Sequence, residues 1–309
     1  RQTLGWEPGL RDVSRGRALI QALQDLAPRL TVENRVQLRW ETFAFEALDV
    51  IEWALTAPFL PSVAFNDHTS MTMRAYDVLI QERAFELSPD FSSASLDDDR
   101  MKKRTALKAR RAGLSEEDYI AVLGKIWDRR SEVPKKIAAV ANLARGAGAP
   151  MLSHDDTRAE TRKYFRCLGA SVAEFPMTME AVEAARAEGD TIIFGAPNAV
   201  RGGSHIGSLG AGDMVEAGLC DVLASDYFYP AMLAAIAKLD REKRADRLAL
   251  WSLVSSGPAR AMGLEDRGEI IVGKRADLVM VDWPMGQTPA ILGTWVEGRS
   301  SYRGMMANA

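Results

Sequence analysis

Residues 149–195, APMLSHDDTRAETRKYFRCLGASVAEFPMTMEAVEAARAEGDTIIFG, decide the fold. Three short apolar runs, at 149–153, 170–175 and 191–195, alternate with two stretches of helical spacing, one reaching about Leu168 and one over 178–188. Strands that alternate with helices form parallel sheets through crossover connections. The rhythm continues on both sides. Residues 35–43 set Val36, Leu38 and Trp40 against polar neighbours and end near Glu41, residues 62–66 form another apolar strand, and 221–224 runs into Ser225, Asp226 and Tyr227. Six parallel strands are therefore expected before residue 228.

Helices fill most of the remainder. Residues 11–27 place Leu19, Ile20, Leu23 and Leu26 on one face, with cap chemistry at Asp12 or Ser14 and a stop at Pro28. Further helices are expected at 44–57, near 212–218, and at about 230–240 and 245–256. Residues 71–148 read as a helical insertion between two strands. Within it, 88–98 is a polar loop, the charge-dense 98–111 is a solvated helix face or a mobile segment, and 114–118 is a capping box. Helices follow at about 116–130 and 133–147. Near the end, 268–282 alternates like antiparallel strands about a Gly273-Lys274 turn, and 291–302 does so about Glu297-Gly298. The expected organisation is a (β/α) barrel domain over 1–262 and a β-sandwich segment over 263–309.

Composition narrows the function. The 309 residues are 47% hydrophobic and 26% charged. Both values are ordinary for a globular chain with a sizeable core. A net charge of −3 offers nothing global to nucleic acid or an anionic membrane, so any anion site is built locally. Two cysteines, Cys167 and Cys220, make no disulfide framework, and the expected location is a reducing cytoplasm. No run approaches the length of a membrane span.

Chemistry-bearing residues collect at the ends of the expected strands, where parallel α/β folds hold their ligands. There are only three histidines, and His68 and His154 each follow a strand beside an aspartate. Glu41 ends one strand and Asp226 follows another. Singly, each has a bland role: a loop hydrogen bond, an ion pair, or, for at least one of Asp155 and Asp156, a helix cap. Together, imidazole and carboxylate suit zinc, manganese or a related divalent ion, with an aspartate able to take a proton from a bound water. After the strand at 191–195 comes a loop, residues 194–208, FGAPNAVRGGSHIGS. Its glycines, Arg201 and His205 fit either a polyanion site or a flexible surface turn.

These motifs resemble the amidohydrolase superfamily, metal-dependent hydrolases on a (β/α)8 barrel with an attached β-sandwich. The tail Gly257-Pro258-Ala259-Arg260, then Asp266-Arg267-Gly268-Glu269-Ile270 and Gly273-Lys274-Arg275-Ala276-Asp277-Leu278, is similar to that superfamily's ending. Leu38-Arg39-Trp40-Glu41, Asn66-Asp67-His68-Thr69, Ser153-His154-Asp155-Asp156, Ala173-Glu174-Phe175-Pro176 and the glycine loop resemble one family within it, the α-D-ribose 1-methylphosphonate 5-triphosphate diphosphatases of the carbon–phosphorus lyase pathway.

The resemblance implies a cytoplasmic hydrolase that releases diphosphate from a small phosphorylated substrate in phosphonate catabolism, with possible homo-oligomers. It implies a divalent metal, zinc or manganese, held by Glu41, His68, His154 and Asp226, with Asp226 also the general base. Asn198, Arg201, Gly203, Ser204 and His205 would bind the substrate's phosphoryl groups. The superfamily's His-x-His pair on the first strand does not occur in this sequence, and the first two barrel strands are expected to be missing from its front. Two other readings stay open. One is an amidohydrolase acting on an amide or cyclic amide, and the other is a degenerate barrel without enzymatic activity.

Overall fold

The computed structural model describes residues 2–9, 11–203, 207, 209–284 and 286–304. The chain packs as two compact units, Arg1–Ser171 and Val172–Ala309. Among the described residues, no helix is long and apolar enough to cross a membrane.

The first unit holds four parallel strands in sequence order: β1 (Gln2–Leu4), β2 (Gln37–Glu41), β3 (Ser62–Asn66) and β4 (Met151–His154). β2 shows how the pattern works. Leu38 and Trp40 are fully buried among the helices, while Gln37, Arg39 and Glu41 point to the other face. All five residues of β3 are buried, as its unbroken apolar run requires.

β1 is a strand beyond those expected from the sequence. It pairs in register with β2, Gln2 against Leu38 and Leu4 against Trp40. Three residues carry too little periodicity to be read as a strand. The helix that follows, Val13–Leu26, is capped by Asp12, whose carboxylate accepts from the Arg15 N–H. Its inward face is only partly the expected one, with Leu23 packed against the core as expected. Ile20 is buried, but so is Gly16, whereas Leu19 and Leu26 are exposed. A Cβ on Gly16 would lie 2.3 Å from Leu4 Cδ2, so the glycine lets the helix settle directly onto β1.

The insertion is helical after an irregular start. Apart from an isolated bridge between Arg74 and Ser93, residues 74–98 form no strand or helix; then come Asp99–Ala112, Glu116–Trp127 and Val133–Gly146. The charge-dense run is a helix with one buried face, made of Met101, Thr105 and Ala109. Ser115 caps the next helix by accepting from the Asp118 N–H at 3.0 Å.

The second unit holds three parallel strands, also in sequence order: β5 (Val172–Glu174), β6 (Thr191–Gly195) and β7 (Val222–Ala224). Among the described residues the two units have seven parallel strands, against the six expected. The stretch after β6 is not all loop. Ala196–Arg201 is a short helix closed by Gly202 in the left-handed region, with φ at 83°. Glycine meets no Cβ penalty in that conformation.

A separate antiparallel sheet follows, β8 (Leu278–Asp282), β9 (Ala290–Val296) and β10 (Arg299–Arg303). The Glu297-Gly298 turn joins β9 and β10 as expected, with φ at 53° and 76°. Positive φ at both central residues matches the twist of the flanking strands. The expected strand before Gly273 does not form. Ile270 and Val272 are exposed, and the segment is held by side chains instead: Lys274 on Glu269 at 2.7 Å, and Arg275 on Asp277 at 2.9 Å.

Candidate metal centre

The strand ends of the first unit assemble a polar site. His154 closes β4, and His68 opens the helix His68–Met73 just past β3. Nitrogen and oxygen atoms of His68, His154 and Asp155 lie within 4.8 Å of one another. The Asp155 carboxylate stands 3.4 Å from His154 Nε2 and 3.8 Å from His68 Nε2.

Glu41 serves this group from behind. One of its oxygens meets His68 Nδ1 at 2.6 Å and the other accepts from the His68 backbone N–H at 3.1 Å. With Nδ1 donating to the carboxylate, Nε2 keeps its lone pair for the site. Burial alone would raise the Glu41 carboxyl, but the hydrogen bonds from His68 and the positive charge of the nearby Arg39 outweigh it and hold it at about 2.

Arg39, on the same face of β2 as Glu41, was not singled out from the sequence. Its guanidinium contacts Nε2 of His154 and approaches Nε2 of His68 at 3.5 Å, while its Nε is buried without a hydrogen-bond partner. The signal was present in the two-residue alternation from Arg39 to Glu41.

Asp155 sits at φ 61°. A non-glycine residue adopts this left-handed region only when its surroundings hold it there. The holder is Arg83. Its buried side chain donates to the Asp155 carbonyl at 2.5 Å, to Ile80 O at 2.8 Å and to Glu86 Oε1 at 2.7 Å. Thr157 and Arg158 bond back to the Arg83 carbonyl, at 3.1 and 3.2 Å. The irregular segment of the insertion thus braces the turn that presents Asp155. Asp156 does not cap the next helix, whose N-cap is Arg158. It is buried and accepts from Ser153 Oγ and, at 3.3 Å, from Arg162. Asp67 does act as a cap, accepting from Ser70 N at 2.7 Å and Ser70 Oγ at 2.6 Å. Burial and the neighbouring Glu86 push its carboxyl up to about 7.

The other predicted residues stand in the second unit. Asp226 follows β7 at φ 50°, the same strained geometry as Asp155. Asn198 is fully engaged with backbone: its Oδ1 accepts from Ala211 N–H at 2.9 Å and its Nδ2 donates to Leu209 O at 3.3 Å. Arg201 donates to Tyr227 Oη at 2.7 Å. Gly203 follows the helix cap at φ 159°. Ser204 and His205 lie outside the described residues. Lys238, not read from the sequence, closes the helix Ala196–Arg201. Its ammonium donates to the carbonyls of Ala199 and Val200 at 3.0 and 3.2 Å. A cation there satisfies carbonyls that the helix end leaves open.

Parallel strands in sequence order, with a histidine pair and carboxylates at the strand ends of the first unit, make an α/β fold with a candidate metal site. Residues 83–302 match the amidohydrolase family, and the chain belongs to it. A curated relative, the α-D-ribose 1-methylphosphonate 5-triphosphate diphosphatase of Escherichia coli, is 41% identical over 169 residues, which cover 53% of this chain and 43% of that enzyme. The chain thus spans less than half the length of the curated relative it matches. Among solved structures, 5-methylcytosine deaminase from Klebsiella pneumoniae aligns at 14% identity and TM-score 0.47, covering 96% of this chain and 76% of that one. N-acetylglucosamine-6-phosphate deacetylase from Pasteurella multocida aligns at 13% and 0.46, covering 97% and 84%.

Proposed function

We propose that this chain is a metal-dependent hydrolase that releases diphosphate from a ribose 5-triphosphate bearing a phosphonate. The observation that carries the reading is the convergence of His68, His154 and Asp155, with Glu41 fixing the tautomer of His68. That donor set fits a divalent ion, because imidazole and carboxylate together suit zinc or manganese. His68, His154 and Asp155 would hold the ion, with Glu41 behind His68 and Asp226 as the further ligand that the family resemblance supplies. Such an ion lowers the pKa of water and neutralises phosphoryl charge. The substrate class rests on the diphosphatase relative.

The chain's own residues supply the remaining work. Asp226 takes the proton of the attacking water. The guanidinium of Arg201, steered by Tyr227, holds the departing diphosphate, and the backbone at Gly203 lets that group come close. Asn198 ties its helix to Leu209 and Ala211, so that Arg201 is presented from a fixed base. Ser204 and His205 complete the phosphoryl contacts in this reading.

Incubating the metal-loaded chain with α-D-ribose 1-methylphosphonate 5-triphosphate should release diphosphate. Arg201→Ala should lower kcat/KM by at least tenfold while metal content is unchanged. Full activity in that variant would remove the role given to the loop. Hydrolysis of N-acyl or cyclic amides without diphosphate release would favour the amide-hydrolysing alternative.

A further inference from the structure

A second polar cleft opens beside the metal centre, at the carboxyl ends of β1, β2 and β3. Trp6, Glu7, Arg11 and Lys108 line it together with Glu41 and His68. Glu41 and His68 therefore border both the cleft and the metal centre. The cleft's chemistry comes from three separate parts of the chain. Trp6 and Glu7 follow β1, Arg11 precedes the first helix, and Lys108 reaches in from the insertion helix Asp99–Ala112.

The donors exceed the acceptors there. Lysine has three donor hydrogens and arginine five. The Lys108 ammonium donates to Thr72 Oγ1 at 2.6 Å and stands 3.9 Å from Glu7. The second separation is beyond hydrogen-bond reach. Glu7 already accepts from the buried Tyr119 hydroxyl. The Arg11 guanidinium makes no hydrogen bond or ion pair among the described residues. Trp6 is fixed as a wall, its Nε1 donating to Thr69 Oγ1 at 2.9 Å and its ring 5.8 Å from that of Tyr119. Holding an ammonium in a partly buried cleft costs solvation, and burial accordingly depresses the Lys108 amine. An oxyanion would return that cost and use the spare donors of both cations.

We propose that this cleft binds a tetrahedral phosphonate group, the end of the substrate remote from the triphosphate. Lys108 and Arg11 grip its oxygens, and Trp6 bounds the sugar that carries it. The assignment rests on the proposed function for the identity of the substrate, but not for the presence of the anion site. It also gives the helical insertion a function, since Lys108 is its contribution to the cleft.

The test is calorimetric titration of the metal-loaded full chain with methylphosphonate and, separately, with inorganic phosphate. Methylphosphonate should bind, and Lys108→Gln and Arg11→Gln should each weaken it at least tenfold, while Lys108→Arg stays within about threefold. Arg11 is exposed, so its variant remains informative if Lys108→Gln does not fold. Tighter binding of phosphate than of methylphosphonate would place the triphosphate, rather than the phosphonate, in this cleft and overturn the assignment. So would methylphosphonate affinity unchanged in both glutamine variants, or no detectable binding of methylphosphonate to the unaltered protein. Methylphosphonate binding that depends on Lys108, without any diphosphate release from the triphosphate, would leave the cleft standing and remove the proposed reaction.

Discussion

His68 shows how one side chain is prepared for a task by another. Glu41 accepts from its Nδ1–H and from its backbone N–H, which fixes both the tautomer and the ring's direction. Glu41→Gln keeps the shape but loses the charge. Zinc affinity, read by competition with a chromogenic chelator, should fall roughly 10- to 100-fold. Arg39 acts in the opposite sense. An imidazole lone pair cannot serve a guanidinium and a metal ion at once, and Arg39 lies against both Nε2 atoms. Arg39→Met should therefore raise zinc affinity several-fold in the same assay, and a loss would show that Arg39 supports the ligands instead. The histidines were legible in the sequence because they are few and stand at strand ends. Asp155 was legible only as a possible cap, because its role depends on Arg83, which is 72 residues away in sequence.

Helix ends and glycines decide the next scale. Asp67 caps the helix that carries His68, yet burial raises its carboxyl from 3.8 to about 7. The folded state thus binds this proton more tightly than the unfolded state does. Its stabilising contribution is complete below pH 3.8 and is lost as pH rises through about 7. Unfolding by urea at several pH values should show that loss as up to about 1.4 kcal/mol per pH unit relative to Asp67→Asn, in which it is absent. Gly257 is the second case. A Cβ there would lie 2.3 Å from the Asp221 carbonyl oxygen and 2.9 Å from that of Ser252. Backbone cannot step aside as a side chain can, so Gly257→Ala should cost about 1–3 kcal/mol in the same unfolding measurement. The sequence showed a motif at this position but not the contact. Gly16 was hidden for the same reason, since an apolar pattern cannot register a residue whose contribution is the absence of a side chain. The parallel strands from β2 onward were legible because burial leaves an apolar run, and β6 and β3 fall where that run predicts.

At the scale of the whole chain, the order of strands carried most of the information. Strand and helix alternation was enough to place the chain among α/β folds and to put its reactive residues at strand ends. The small antiparallel sheet was only half legible. Alternation alone cannot distinguish a paired strand from a segment held by ion pairs between its own side chains, as from Asp266 to Asp277. The long insertion read as helical from its composition. That its irregular first part braces Asp155 through Arg83, and that its first helix carries Lys108, became visible only in three dimensions. The central claim is that the first unit's strand ends hold a metal used for hydrolysis of a phosphoanhydride. The measurement that bears on it most directly is diphosphate release from α-D-ribose 1-methylphosphonate 5-triphosphate by the full chain, after chelation and again after zinc or manganese is restored. The account predicts release only with metal, and none from the double variant His68→Ala, His154→Ala. No release after metal is restored, or undiminished release by the double variant, would contradict it.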